Sequence, residues 1–431
     1  MNSDQSNRPR ANRSIPTLAL ALMAFTLLAS STPLAAAEAR WWKGNLHTHS
    51  LWSDGNDYPE MIARWYKENG YHFLALSDHN VFALKQRWSD IKANKGGQKA
   101  FDRYLRTYGP HWVETKEEDG KALVRLKPFA EFSPLFNEHD RFLMIPSEEI
   151  TDRYLSAPIH MNLSNLAYPI EPQHGENFVD VMQRNVAAVK KQREETGRPM
   201  MIHLNHPNFG WALTAEELMQ VAGERFFEVY NGHPMVNDRG DAIHASTERV
   251  WDIILTWRLA ILETGPVYGL ATDDSHDYHT LASDRSNTGR GWVMVRAHHL
   301  SAEQLILALE AGDFYSSSGV TLTDIRRQAG VFSLKIAGEE GVTYRTEFIG
   351  TREGFDQTNT PVKTKTGEKL RVTHQYSDEV GEVLATVEGT EAEYHFKGDE
   401  IYVRARITSS KTKANNVHES EVEMAWTQPF F

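Results

Sequence analysis

Histidine, aspartate and glutamate recur in this sequence at one kind of place, the end of a short apolar run. His47-Thr48-His49 closes the run Trp42–Leu46, and side chains two apart on a strand face the same way, so both imidazoles can ligate one ion. Ser53-Asp54-Gly55 follows. A second run, Tyr71–Leu76, ends in Ser77-Asp78-His79, and a third, Phe142–Ile145, leads into Pro146-Ser147-Glu148-Glu149-Ile150. The fourth, Ile159–Leu163, contains His160, and the fifth, Met200–Leu204, carries His203 and is followed by Asn205-His206-Pro207. The run Val267–Ala271 ends in Asp273-Asp274-Ser275-His276, where Asp274 and His276 repeat the spacing of two. A lone His-x-His says little, and a Glu-Glu pair is ordinarily a solvated face. Ligand-type residues at successive strand ends are the pattern of a centre that holds more than one metal ion through nitrogen and oxygen.

The elements that must position these groups alternate. The runs above, with Phe226–Tyr230 and Trp292–Val295, read as strands, and between them lie helical patterns at Pro59–Asn69, Phe178–Glu194, Thr214–Ala222, Ser246–Trp257 and Ala302–Ala311. That alternation is the signature of βα units around a mostly parallel barrel or strongly curved sheet, folds that build their sites at the C-terminal strand ends. Residues 84–141, rich in Lys, Gly and Tyr, break the rhythm and read as an insertion near the mouth of the site, a possible lid. From about Thr321 the pattern turns to short alternating strands, so 321–431 is expected to be a small all-β C-terminal domain.

Composition narrows the partners. The 431 residues contain no cysteine, which removes disulfides, thiolate zinc sites, iron–sulfur clusters and cysteine nucleophiles. A net charge of −12 gives no broad basic face for duplex nucleic acid. Residues 1–37 read as a secretory signal: Arg8, Arg10 and Arg13, the apolar run Leu18–Ala29, then small residues ending at Ala37. The run is too short to span a bilayer, so a periplasmic or secreted protein with no membrane anchor after signal removal is expected.

In order and spacing, His47-Thr48-His49, Ser53-Asp54-Gly55, Ser77-Asp78-His79, Pro146 to Thr151, His206-Pro207 and Asp274-Ser275-His276 resemble the PHP family, the polymerase and histidinol phosphatase domain. The resemblance covers about residues 41–320, within an expected domain of 38–320. It implies a distorted (β/α)7 barrel with two or three divalent ions, zinc, manganese or iron, at its mouth, and hydrolysis of phosphate esters by a metal-bound hydroxide. By position, one ion would take His47, His49, Glu149 and Asp274, a second would share Glu149 and add His160 and His206, and a third would take Asp54, His79 and His276. Glu149 is taken over Glu148 because the family's glutamate lies three residues after the proline, here Pro146. The chemistry is a matter of charge: ions lower the pKa of a held water from about 15.7 towards about 7 and relieve the charge of phosphate oxygens. The implied substrate is a small phosphorylated molecule such as a nucleotide or sugar phosphate.

Other residues are candidates beside the ions. Arg285 and Arg290 could grip a phosphate with a planar fork. His279 and Tyr278 could protonate a leaving group or line the pocket, Glu228 and Asn231, at the end of the sixth strand, could hydrogen-bond substrate or a metal ligand, and Asp78 and His203 could orient ligands. Two other readings stay open: an amidohydrolase-like hydrolase of amides or lactones, which also places His-x-His after a first barrel strand, and an exported metal-holding protein that binds a partner without catalysis.

Overall fold

The computed structural model describes residues 38–431 apart from Ala329, so the expected leader lies outside the described residues. One sheet of thirteen strands runs through it. In chain order these are β1 (Arg40–Asn45), β2 (Phe73–Leu76), β3 (Leu143–Tyr154), β4 (Ala157–Ser164), β5 (Met201–Leu204), β6 (Phe226–Asn231), β7 (Tyr268–Thr272), β8 (Trp292–Ala297) and β9 (Phe314–Ser317). The later strands are β10 (Tyr344–Arg352), β11 (Glu382–Glu388), β12 (Glu400–Thr412) and β13 (Val422–Thr427). Their order across the sheet is β7-β6-β5-β4-β3-β2-β1-β8-β9-β13-β12-β10-β11.

Four helices cover the curved part: α1 (Pro59–Glu68), α2 (Phe178–Thr196), α3 (Thr247–Ala260) and α4 (Ala302–Glu310). Local chemistry sets their ends. Pro59 opens α1, and the side chains of Asn177, Ser246 and Ser301 accept from backbone N–H groups to cap the other three. Gly197, at φ +65°, ends α2. On β2, Phe73 and Ala75 join a core with Trp42, Ile145, Met201, Phe226 and Leu270, while Leu74 and Leu76 pack against Ile62 and Tyr66 of α1. Both faces are therefore covered, and the strand is apolar throughout. A Cβ at Gly44 would lie 2.2 Å from the Phe73 ring, so glycine there admits the inward phenyl group.

The mixed α/β character expected from the sequence is present, and the curved sheet departs from the strand directions of the expected distorted (β/α)7 barrel. Only two residues separate β3 from β4, too few for a parallel crossover, so the two form an antiparallel hairpin. β4 and β5 are antiparallel as well, while β1, β2 and β3 run parallel and so do β5, β6 and β7. β1 pairs on its other side with antiparallel β8, and no ladder joins β1 to β7. The mouth closes beyond their ends, through a bridge between Thr48 and Ser275 in which the His49 N–H donates to the Ser275 carbonyl at 3.0 Å.

The expected boundary at 320/321 is not a break in the sheet. β13 pairs with β9 and carries the same sheet into β12, β10 and β11. A second sheet (Leu322–Gln328, Val331–Ile336, Glu391–His395) shares one core with Tyr315, Phe348, Val403 and Ala425. Residues 38–431 form one compact unit. Residues 84–141 fold as an antiparallel sheet (Arg87–Asp90, Lys121–Leu126, Thr115–Glu118) with the helix Gly97–Tyr108, packed through Ile91, Phe101 and Tyr104 onto Leu51, Trp52 and Tyr58.

A buried ion pair ties α3 to β12: Arg404 donates to Asp252 through Nε at 2.8 Å and Nη2 at 2.7 Å, and the Tyr402 hydroxyl adds a bond at 2.8 Å. Removing one partner strands a buried charge. Arg404→Met is expected to lower stability by about 3 kcal/mol or more in urea unfolding, whereas an exposed pair such as Arg64–Glu68 contributes about 0.5 kcal/mol. Unfolding of Arg404→Met at the wild-type midpoint would contradict this.

Candidate metal centre

The nine residues expected as ligands come together at the C-terminal mouth of the curved sheet. His47 and His49 emerge from β1 with their Nε2 atoms 3.1 Å apart, each 3.2 Å from Asp274 Oδ1. Asp274 follows β7 with φ +47°, a conformation rare outside glycine, so the backbone is held where the carboxylate can meet both rings. Glu149 lies within β3, not at a strand end, opposite Asn162 of β4. Its Oε1 is 3.1 Å from His160 Nδ1, 3.6 Å from His47 Nε2 and 3.9 Å from His206 Nε2, and its Oε2 is 2.7 Å from His79 Nδ1 and 3.3 Å from His49 Nε2. Asp54 Oδ1 is 3.1 Å from His276 Nε2 and 3.6 Å from both His49 Nδ1 and His79 Nε2. Glu148, on the opposite face of β3, turns away and accepts from the Ile170 N–H at 2.6 Å.

Whether these groups suit ions can be judged from their lone pairs. Glu149 Oε2, Asp54 Oδ1 and His160 Nδ1 are buried with no hydrogen-bond partner, although imidazoles and carboxylates crowd around them. Buried polar atoms are rarely left so. Overlapping donor sets, each within 4.8 Å, are His47-His49-Asp274, His47-Glu149-His206, His79-Glu149-His160 and His49-Asp54-His79-His276. All are nitrogen and carboxylate oxygen, the donors that zinc, manganese and iron accept.

Burial and the neighbouring charges pull the ring pKa values in opposite directions. Burial works to lower the His47 pKa, but Asp274, Glu228 and Glu149 outweigh it and raise it well above the usual range. His79 behaves alike: burial opposes Glu149 and Asp54, which raise it to about 9. Burial depresses His49 to about 3, with His276 and His79 adding to the effect, and His206 to about 4. Glu149 and Asp274 stay far below the carboxylate range because the surrounding imidazoles overcome the burial that would raise them.

Further side chains hold these ligands. Glu228, on β6, accepts from His47 Nδ1 at 2.7 Å and Thr272 Oγ1 at 2.9 Å through Oε1, and from the His206 N–H at 2.9 Å through Oε2. The tautomer this assigns to His47 leaves its Nε2 lone pair facing Asp274 and Glu149. His203 lies 3.4 Å from the same Glu228 oxygen. Asn205 donates to Glu149 Oε1 at 2.7 Å.

The candidates beside the ligands part ways. Asn231, expected to bond to substrate or to a ligand, is buried and donates to Glu228 at 2.8 Å and to Asp274, one of the candidate ligands, at 3.1 Å. Asp78 is buried as well and collects Ser50 and Ser53, through their N–H and hydroxyl groups, at 2.6 to 3.0 Å, so it shapes the loop that carries Asp54. The Tyr278 hydroxyl lies within hydrogen-bond distance of the carbonyls of His49 and Ser275, and His279 Nε2 donates to that of Asn56, so both residues tie loops together at the mouth. Arg290 does not grip a phosphate: it is wholly buried and spends its guanidinium on the carbonyls of Gly232, Arg285 and Ala282 and on Asn415. Arg285 does face the mouth, its side chain half exposed in an open cleft of about 460 Å³ with Asp54 and His276. Lys95 and His233 share that cleft and were not singled out from sequence. His233 sits two residues past β6, where the strand-end rule would have found it, whereas nothing in the spacing around Lys95 marks it.

Ligation requires neutral imidazole, so an ion entering this centre must displace the protons on His47 and His79. Metal affinity is therefore expected to rise with pH up to about 9, the value to which His79 is raised. Titration calorimetry in buffers of different ionisation enthalpy should show proton release at pH 7, and metal binding without it would contradict this ligand set.

No family model matches the chain, and no curated protein matches it. Among solved structures it is similar to a two-domain protein containing a predicted PHP-like metal-dependent phosphoesterase from Bacteroides vulgatus, at 14% identity over 91% of this chain and 96% of that one, with a TM-score of 0.37. A putative metal-dependent phosphoesterase from Bifidobacterium adolescentis aligns at 13% identity over 54% of this chain and 87% of that one, TM-score 0.28. An amidohydrolase from Chromobacterium violaceum, with sulfate bound and no metal, aligns at 12% identity over 57% and 90%, TM-score 0.29.

Proposed function

We propose that this chain is an exported metal-dependent phosphoesterase that hydrolyses phosphate esters of small molecules with two or three divalent ions, zinc, manganese or iron. One observation carries the reading: six imidazoles and three carboxylates converge at one mouth, and three of their buried atoms, Glu149 Oε2, Asp54 Oδ1 and His160 Nδ1, are left without a hydrogen-bond partner. Donor sets that overlap through His47, His49, His79 and Glu149 would seat neighbouring ions, and a phosphate, with several charged oxygens on one atom, is the group that adjacent cations serve best. Bound there, the ions would supply an activated water and neutralise charge on the ester. The chain's own part is positional. Glu228 fixes the His47 ring, Asn205 and Asn231 hold Glu149 and Asp274, and Asp78 sets the loop of Asp54. The cleft above is open, which suits a small soluble ester, and a net charge of −12 disfavours duplex nucleic acid.

Elemental analysis of the natively purified protein, with a screen of phosphomonoesters and phosphodiesters, tests this. His47→Ala or Asp274→Ala is expected to lower metal content and to reduce hydrolysis about 100-fold or more. Turnover of amides or lactones with none of phosphate esters would replace the reading with an amidohydrolase one. Full metal occupancy without turnover of any ester would favour a binding protein. Export is tested by N-terminal sequencing of protein from the periplasm or medium, expected to begin near Glu38; a start at Met1 would withdraw it.

A further inference from the structure

We propose that the insertion at 84–141 contributes directly to the site: Lys95, together with Arg285, forms the anion-binding edge of the cleft and holds the substrate phosphate over the metal centre. The inference rests on the phosphoesterase reading for its substrate, but its own evidence is geometric. Lys95 Nζ lies 3.3 Å from Asp54 Oδ2, while the other oxygen of that carboxylate faces His49, His79 and His276. The ammonium therefore stands on the outer side of a candidate ligand, with donors to spare beyond this contact. Arg285, also in the cleft, makes only a 4.0 Å approach to Asp277 with its guanidinium, and its backbone carbonyl is clasped by buried Arg290.

The position of Lys95 is built into the fold. Asn94 Oδ1 accepts from the N–H groups of Gly96 and Gly97 at 3.0 and 2.8 Å, which fixes the turn around Lys95. A Cβ at Gly96 would fall 2.7 Å from the Asn56 carbonyl oxygen, so the insertion can press this close only with glycine there. Asn56 in turn bonds to Asp277 at 2.7 Å and to the Tyr278 N–H at 3.0 Å, so one residue registers the insertion against the loops that carry Asp54 and His276. Lys95 is exposed, as is Lys99 on the following helix, and what distinguishes it is its place in the cleft and its contact with Asp54.

Calorimetric titration of the metal-loaded protein with inorganic phosphate tests the assignment. Lys95→Met is expected to weaken phosphate binding about 10-fold and Arg285→Met by a similar factor, the loss of one charge-assisted contact each, while Lys95→Arg retains most of the affinity. Lys99→Met, which changes net charge equally, should bind as wild type. Gly96→Ala, at an ordinary φ of −78°, should reproduce the Lys95→Met loss by displacing the turn. Thermal melting and metal content of each variant separate a local effect from misfolding. A wild-type protein that does not bind phosphate, or a Lys95→Met protein that binds it undiminished, overturns the assignment. Phosphate binding that depends on Lys95 in a protein that turns over no phosphate ester would leave it standing and reject the phosphoesterase reading instead.

Discussion

Buried negative charge is the constraint that organises this molecule. Glu149 and Asp274 sit fully out of water among histidines, and an ionised carboxylate so placed is tolerable only if positive charge lies against it. The surrounding imidazoles supply that charge unevenly. Asp274, Glu228 and Glu149 drive His47 towards the protonated form, whereas burial, with His276 and His79 adding to it, drives His49 away from it although carboxylates lie beside it as well. The result is a cage whose charge balances only when cations, either protons or metal ions, occupy it. The polar groups around it hold its members in place: Glu228 bonds to His47, Asn205 to Glu149 and Asn231 to Asp274.

The mouth is held by loops that cross-link. Asp78 gathers the loop after β1, Asp273 accepts from the Tyr66 hydroxyl and from the N–H groups of Gly289, Arg290 and Gly291, and Tyr278 joins the loops after β1 and β7. The C-terminal strands contribute too, because Lys413 donates to the Arg290 carbonyl at 3.1 Å and Asn415 to that of Thr288 at 2.7 Å. Regions far apart in sequence thus converge on one rim.

How much of this was legible beforehand depended on periodicity. Each apolar run expected as a strand in the curved region is one, since burial on both faces writes itself as continuous hydrophobicity, and the ligand-type residues stood out because they interrupt those runs at a regular place. The β3–β4 hairpin was hidden by its own function: Ser147-Glu148-Glu149 looks like the end of a strand only because a buried polar site lies on it. Sheet membership of the C-terminal strands was beyond reach, since alternation gives a strand its two faces but not its neighbours. Arg290 misled for a different reason, because charged residues that satisfy buried backbone and charged residues that meet a ligand share the same composition. Lys95 owes its place to a close approach at Gly96, which no local pattern announces.

Continuity of the sheet from β9 into β13 makes the C-terminal quarter something other than a detachable cassette. A chain ending near residue 320 would bare the outer edge of β9, a row of unpaired amides and carbonyls with Tyr315 stripped of its covering core, and such an edge recruits strands from other molecules. Shortened forms of this protein would then be lost to self-association sooner than to loss of chemistry, and shuffling of the two halves among relatives would be restrained by the hydrogen-bonded seam between them.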